Sequence, residues 1–222
     1  MKIIYIGFIT LINAMVQPFI AIQPGGITGF YTLGICSYIK EKYDTTNYNI
    51  IGSSSGSWNG LYMVCKDTHF IDKMMVHDFT RYKDLNEIQK EMKTYLLNTY
   101  TSDDFELERL YILTSWYRGV FLRPRIYNNF KTLEDAIDCC IASSHIPMIT
   151  SNDFWKKYDN KIMFDGALFK IPKKYKRDIV IRYDLFDSKL FKSFWWNMIK
   201  YNVKNITFLY KEGYSDSFIQ LL

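Results

Sequence analysis

The sequence predicts a mixed α/β fold, a three-layer α/β/α sandwich on a mostly parallel central sheet. Two strand–turn–helix units follow each other within residues 19–64, and consecutive units of that form build parallel sheets through right-handed crossovers. Two later apolar runs, 161–164 and 179–181, are bounded by turn residues and read as further strands. No internal repeat or low-complexity linker divides the chain, and 222 residues suit one domain.

Taken in order, Phe19-Ile20-Ala21-Ile22 is a short apolar strand that runs into Gln23-Pro24-Gly25-Gly26-Ile27-Thr28-Gly29, a glycine turn. Leu33, Ile35, Cys36 and Ile39 then recur with helical spacing, and Lys40-Glu41-Lys42 closes the helix. Tyr48-Asn49-Ile50-Ile51 reads as the second strand, Gly52-Ser53-Ser54-Ser55-Gly56 as a tight turn, and 58–64 as the next helix. The middle, 66–118, reads as helical. Leu85, Ile88, Met92, Tyr95 and Leu96 form one stripe, and Leu107, Leu110, Tyr111 and Thr114 a second. Another helix begins near Thr132, with Asp135 placed to complete a capping box. The tail from Ser188 reads as mostly helical, with 206–209 as a strand within it.

Composition narrows the function classes. Hydrophobic residues at 48% against 23% charged exclude intrinsic disorder. The net charge of +5 is spread along the chain without a basic run, so no nucleic-acid partner is expected and a modest attraction to anionic surfaces is. Cys36, Cys65, Cys139 and Cys140 form neither a zinc spacing nor a disulfide framework, so no metal and no cofactor are expected. The amino terminus has two readings. Lys2 followed by the apolar run 3–12 looks like a secretory signal, or equally like buried strand. Residues 1–18 are therefore set apart from a domain at 19–222. The protein is expected to be cytoplasmic with peripheral membrane association or, if 1–18 act as a signal, secreted.

Three motifs carry chemistry. Gly52-Ser53-Ser54-Ser55-Gly56 is a G-x-S-x-G sequence between a strand and a helix, where a strained turn presents the serine hydroxyl at a helix amino end. Gly25 and Gly26, 28 residues ahead of Ser54 counted from Gly26, open a helix with backbone N–H groups free of side-chain obstruction. The GxGxxG spacing of a dinucleotide site is absent, so an oxyanion hole is the better reading. Phe164-Asp165-Gly166-Ala167 puts an acid at the end of an apolar strand, and a partly desolvated carboxylate can take a serine proton. Of the histidines, His69 and His77 lie in a polar stretch, while His145, before Ile146-Pro147, is a candidate triad base.

Together these pieces resemble the patatin-like phospholipase family, in order and with compatible spacing (111 residues from Ser54 to Asp165) from Phe19 to the carboxyl terminus. Ala142-Ser143-Ser144-His145-Ile146-Pro147 is similar to that family's small-residue and Ile-Pro segment, and Gly213-Tyr214-Ser215-Asp216 to its closing G-Y-x-D helix. The resemblance implies a lipid acyl hydrolase with Ser54 as nucleophile on the Gly52/Gly56 elbow, Asp165 as general base, Gly25 and Gly26 as oxyanion donors, and no metal. Its substrates would be phospholipids or neutral lipids met at a membrane surface. Pro24 stands where the family usually has its first glycine and has no N–H to donate, Thr28 replaces a frequent basic residue, and Ala167 replaces the second glycine after the aspartate. Pro24 motivates an alternative, a catalytically weak or inactive membrane-binding effector of the same fold; a Ser–His–Asp esterase using His145 is a third. Phe191, Phe194, Trp195, Trp196, Met198, Ile199 and Tyr201, interleaved with Lys192 and Lys200, form a segment suited to a membrane interface or to packing on the sheet.

Overall fold

The computed structural model describes residues 17–76, 78, 81–175, 177–186 and 202–221. The amino-terminal run to Val16, His77 and the aromatic segment 191–201 lie outside the described residues. The described chain is a mixed α/β structure with a seven-stranded sheet. Its strands are β1 (Phe19–Ile22), β2 (Asn49–Ser53), β3 (Leu110–Arg118), β4 (Phe121–Tyr127), β5 (Lys156–Tyr158), β6 (Lys161–Phe164) and β7 (Arg177–Ile181). Its helices are α1 (Gly29–Lys42), α2 (Ser55–Met63), α3 (Phe70–Met75), α4 (Leu85–Thr99), α5 (Leu133–Ser143) and α6 (Ile206–Leu221).

Strands β7, β1, β2 and β3 pair parallel in that order, and β4, β6 and β5 add antiparallel pairings. β3 organises the sheet. It pairs with β2 over Leu110 to Leu113, with β6 at Ser115 and Trp116, and with β4 from Ile112 to Arg118. A strand has two edges, and β4 overlaps both other partners, so β2 and β6 must share the opposite edge. They approach along it head-on: Ser53 of β2 is opposite Leu113, Phe164 of β6 is opposite Ser115, and only Thr114 lies between.

The pleat sorts the strand residues onto two faces. Ile20, Ile22, Ile50, Leu110, Ile112 and Ile181 join the helices in one buried cluster that holds Ile35 of α1, Leu61 of α2, Leu96 of α4, Ile137 of α5 and Leu209 of α6. Phe19, Ala21, Ile51 and Leu113 face the other way, against Ile171 and Tyr175. Helices on both faces were the expectation; among the described residues one face carries them all, and the coil around Ile171 covers the other. The steps β1 to β2 and β2 to β3 run in one direction across the sheet, and right-handed crossovers in one direction deliver their helices to one face.

Three elements differ from the sequence reading. The stripe at Leu107 to Thr114 is not one helix: Leu107–Arg109 make a single 3-10 turn, and Leu110–Arg118 is the longest strand, which turns through Gly119 into β4. Leu110, Ile112, Leu113 and Thr114 are buried, and burial on both faces removes the period-two alternation that marks a strand. Residues 206–209 belong to helix α6. α5, by contrast, starts where it was read, after Thr132, whose hydroxyl accepts the Asp135 N–H at 3.1 Å and so makes one half of the expected capping box.

α6 packs on α1 at backbone contact. A Cβ on Gly34 would stand 2.1 Å from the Tyr210 carbonyl oxygen, and one on Gly213 would stand 2.0 Å from that of Tyr31. The buried Tyr31 hydroxyl donates to Asp216 at 2.5 Å across the same contact. Neither helix can retreat without emptying its core positions, so Gly34→Val or Gly213→Val is expected to lower folding stability by about 3 kcal/mol, measured by urea unfolding.

Candidate active site

The site forms where β2 and β6 meet. Ser54 directly follows β2 and is the N-cap residue of α2, with φ 53° and ψ −131°. A positive φ is costly for a residue with a Cβ, and the two elbow glycines show what enforces it. A Cβ on Gly52 would lie 2.1 Å from the Gly56 carbonyl oxygen, and one on Gly56 would lie 2.4 Å from that of Ile22. Strand and helix are pressed together on both sides of the serine, and the turn has nowhere wider to go.

Asp165 directly follows β6. The Ser54 hydroxyl donates to Asp165 Oδ2 at 2.7 Å, and the Ala167 N–H donates to Oδ1 at 2.7 Å. The backbone of Asp165 is fixed on both sides: its N–H donates to the His145 carbonyl at 2.9 Å, and its carbonyl accepts the Ser115 hydroxyl at 2.6 Å. Gly166 has to be glycine, since its Cβ would stand 2.1 Å from the Leu113 carbonyl oxygen. Ser54 and Asp165 are 4% and 6% exposed, which takes the carboxylate out of water. Burial raises the Asp165 pKa to about 6, against the opposing hydrogen bonds from Ala167 and Ser54.

The expected oxyanion loop folds as a turn ahead of α1. The Thr28 hydroxyl donates to the Gly25 carbonyl at 2.7 Å and closes it, which is the work of the residue found where a basic one was expected. The Gly25 N–H donates to Ser55 Oγ at 2.9 Å, so this candidate donor is engaged within the protein. Gly26, with φ 55°, lines the same cavity as Ser54 and Ser55. That cavity, about 90 Å³, runs from Ser54 among apolar side chains of four helices, with Phe30, Leu61, Met74, Ile88, Met92 and Leu96 on its walls.

His145 is buried, yet its ring makes no hydrogen bond to Ser54, and Nε2 has no partner among the described residues. Burial pushes the imidazole below its ordinary pKa, opposed by a hydrogen bond with the Phe154 backbone. What His145 gives the site is its carbonyl. His69 is exposed and paired with Asp72.

Sequence reasoning missed the residues that hold the pair in place. Ser143 Oγ accepts the Ser54 N–H at 2.9 Å and donates to the Leu113 carbonyl at 2.7 Å, tying elbow, α5 and β3 together. Ser144 Oγ accepts from Trp58 Nε1 and from Gln89 Nε2, both at 3.1 Å. The small-residue turn at Ala142 to Ser144 was the available signal for both serines, whereas Ser115 lay in a stretch read as helix. All four cysteines are free and buried, and among the described residues no group of three or more His, Cys, Asp or Glu is placed to hold a metal ion. No helix of the described residues is long and apolar enough to cross a membrane. No protein-family model matches the chain, and no curated protein matches it.

The raised Asp165 pKa couples stability to pH. Between its unfolded value near 3.8 and its folded value of about 6, the folded protein keeps a proton that the unfolded chain has released. Stability therefore falls as pH rises through that window, by about 3 kcal/mol in full. Asp165→Asn removes this dependence, so urea unfolding of wild type and variant from pH 4 to pH 7 is expected to show a stability difference that grows in favour of the variant up to about pH 6.

Proposed function

We propose that the chain is a patatin-like lipid acyl hydrolase, cleaving carboxylic esters of phospholipids or acylglycerols through a Ser54–Asp165 dyad. The observation that carries this reading is the 2.7 Å hydrogen bond from the Ser54 hydroxyl, held on a positive-φ elbow, to a buried carboxylate. The apolar cavity beginning at Ser54 supports an acyl substrate, because its walls offer dispersion contact and few polar partners.

In this mechanism Asp165, ionised above a pKa of about 6, takes the Ser54 proton as Oγ attacks the ester carbonyl. The oxyanion is met by N–H groups at the first turns after the two loops, those of Gly26 and Ser55. These are the positions whose donors lack a partner within a helix. Protonated Asp165 returns its proton to the departing alcohol, leaving an acyl-serine. Water then gives its proton to Asp165 and attacks the acyl carbonyl, and Ser54 is regenerated as the fatty acid leaves.

The test is labelling with a fluorophosphonate probe together with hydrolysis of p-nitrophenyl esters. Wild type is expected to be labelled, Ser54→Ala not, and Ser54→Ala or Asp165→Asn to lose about 10⁴-fold or more in kcat/KM. His145→Ala keeps its dyad, and so keeps the reaction. No labelling of wild type would sink the enzyme reading, and loss in His145→Ala with Asp165→Asn unaffected would replace the dyad by a triad. The pH profile is a separate check: kcat/KM is expected to rise to a plateau through an apparent pKa of about 6.

A further inference from the structure

The β3–β4 hairpin continues well past the site. Arg118 lies five residues beyond Leu113, so at about 3.4 Å per residue the turn projects on the order of 17 Å past the strand ends that bear Ser54 and Asp165. Its tip exposes Tyr117, Val120, Phe121 and Leu122, with Val120 83% and Phe121 66% exposed. The turn is made by Gly119 at φ 70°, where a side chain would meet nothing within 4 Å. Arg118 stands at this tip opposite Phe121, Arg123 two residues down β4 opposite Trp116, and Arg125 lower still opposite Thr114; residues 110–131 contain no Asp or Glu. The Arg118 guanidinium lies over the Trp116 ring at 5.7 Å and that of Arg123 over Phe121 at 6.0 Å. Among the described residues neither has a carboxylate partner, whereas Arg125 stands 3.5 Å from Asp159.

A second exposed apolar group lies on the same antiparallel unit. Met148, Ile149, Phe154 and Trp155 are exposed on the loop that leaves the cavity walls at Ile146 and Thr150 and enters β5. β5 registers on β6, Lys156 opposite Met163, and Met163 is opposite Trp116 of β3. The hairpin and the loop into β5 thus leave eight large apolar side chains in water among the described residues, and Arg118 and Arg123 at the hairpin have no carboxylate partner among them.

We propose that the hairpin tip docks on an anionic lipid bilayer, with Val120, Phe121 and Leu122 entering the apolar boundary and Arg118 and Arg123 meeting the phosphate layer. Transfer of the tip out of water supplies the apolar part of the attraction, and each arginine adds to it at a negatively charged leaflet. A nucleic acid would engage the arginines and leave Val120 and Leu122 in water; a bilayer accounts for both halves of the surface. The inference deepens the lipid-ester reading by naming where such an enzyme meets its substrate phase.

The experiment is co-sedimentation of the full chain with vesicles of phosphatidylcholine alone and of two parts phosphatidylcholine to one part phosphatidylglycerol. Wild type is expected to bind the anionic vesicles in preference. The Val120→Asp/Phe121→Asp double variant should weaken that binding by about tenfold or more, and Arg118→Ala or Arg123→Ala by about fivefold each. Unchanged binding in these variants would overturn the proposal and move the contact elsewhere on the chain. So would absence of wild-type binding, equal binding to both vesicles, or tip variants that split a dimer of a wild type that ignores vesicles. Hydrolysis of a water-soluble short-chain ester is read in parallel. Vesicle binding without turnover removes the hydrolase reading alone, and turnover without vesicle binding removes the docking surface alone.

Discussion

Everything at the site depends on one edge of one strand. β3 is long enough to take two partners end to end on the same edge, β2 from below and β6 from above, and the gap between them is one residue, Thr114. The residue after each partner strand is therefore brought to the same point from opposite directions. One is Ser54 and the other Asp165. Backbone pairing alone brings two side chains 111 residues apart in sequence into hydrogen-bond contact. The glycines beside them are consequences: Gly52, Gly56 and Gly166 each lie where another chain segment's carbonyl oxygen leaves no room for a Cβ.

Such a junction is expensive to build from polar parts, and the surrounding hydrogen bonds show how the cost is met. A buried carboxylate wants donors, and Asp165 has two at its side chain and one at its backbone carbonyl. A serine at positive φ must be held there, and Ser143 holds it by its N–H. These bonds fix the pair without neutralising the carboxylate by a cation, so its basicity stays raised. A salt bridge in the same place would have lowered it and made a poorer base. The burial that costs stability as pH rises toward about 6 is also what would make the carboxylate a base in the proposed reaction, a trade common where function needs a destabilised group.

Much of this was legible in the chain. The turns at Gly25-Gly26 and Gly52 to Gly56, the strand Lys161–Phe164 and the helix after Thr132 could be read because their signals are local: glycines at fixed offsets, apolar runs of strand length, a capping threonine. β3 and β4 could not. Leu110, Ile112 and Leu113 are buried on both faces, so no alternation distinguishes the strand from a buried helix, and Pro124 of β4 masks a strand that pairs on one edge. The hidden serines follow from the same blindness. Ser115 and Ser143 gain their roles only from what β3 brings beside them.

The sequence by itself determined the candidate serine and acid and the sharpness of the turns that bear them, because residue type and glycine spacing are properties of short segments. It also determined the apolar segments β1, β2 and α1 from which the buried core is built. Only the tertiary structure decided that Ser54 and Asp165 meet, that Gly25 is engaged by Ser55 while Gly26 faces the cavity, that His145 lends its carbonyl and not its ring, and that the described helices share one face. Each of these depends on strand register and crossover direction. Register is set by pairing between segments many residues apart, and no local spacing encodes it.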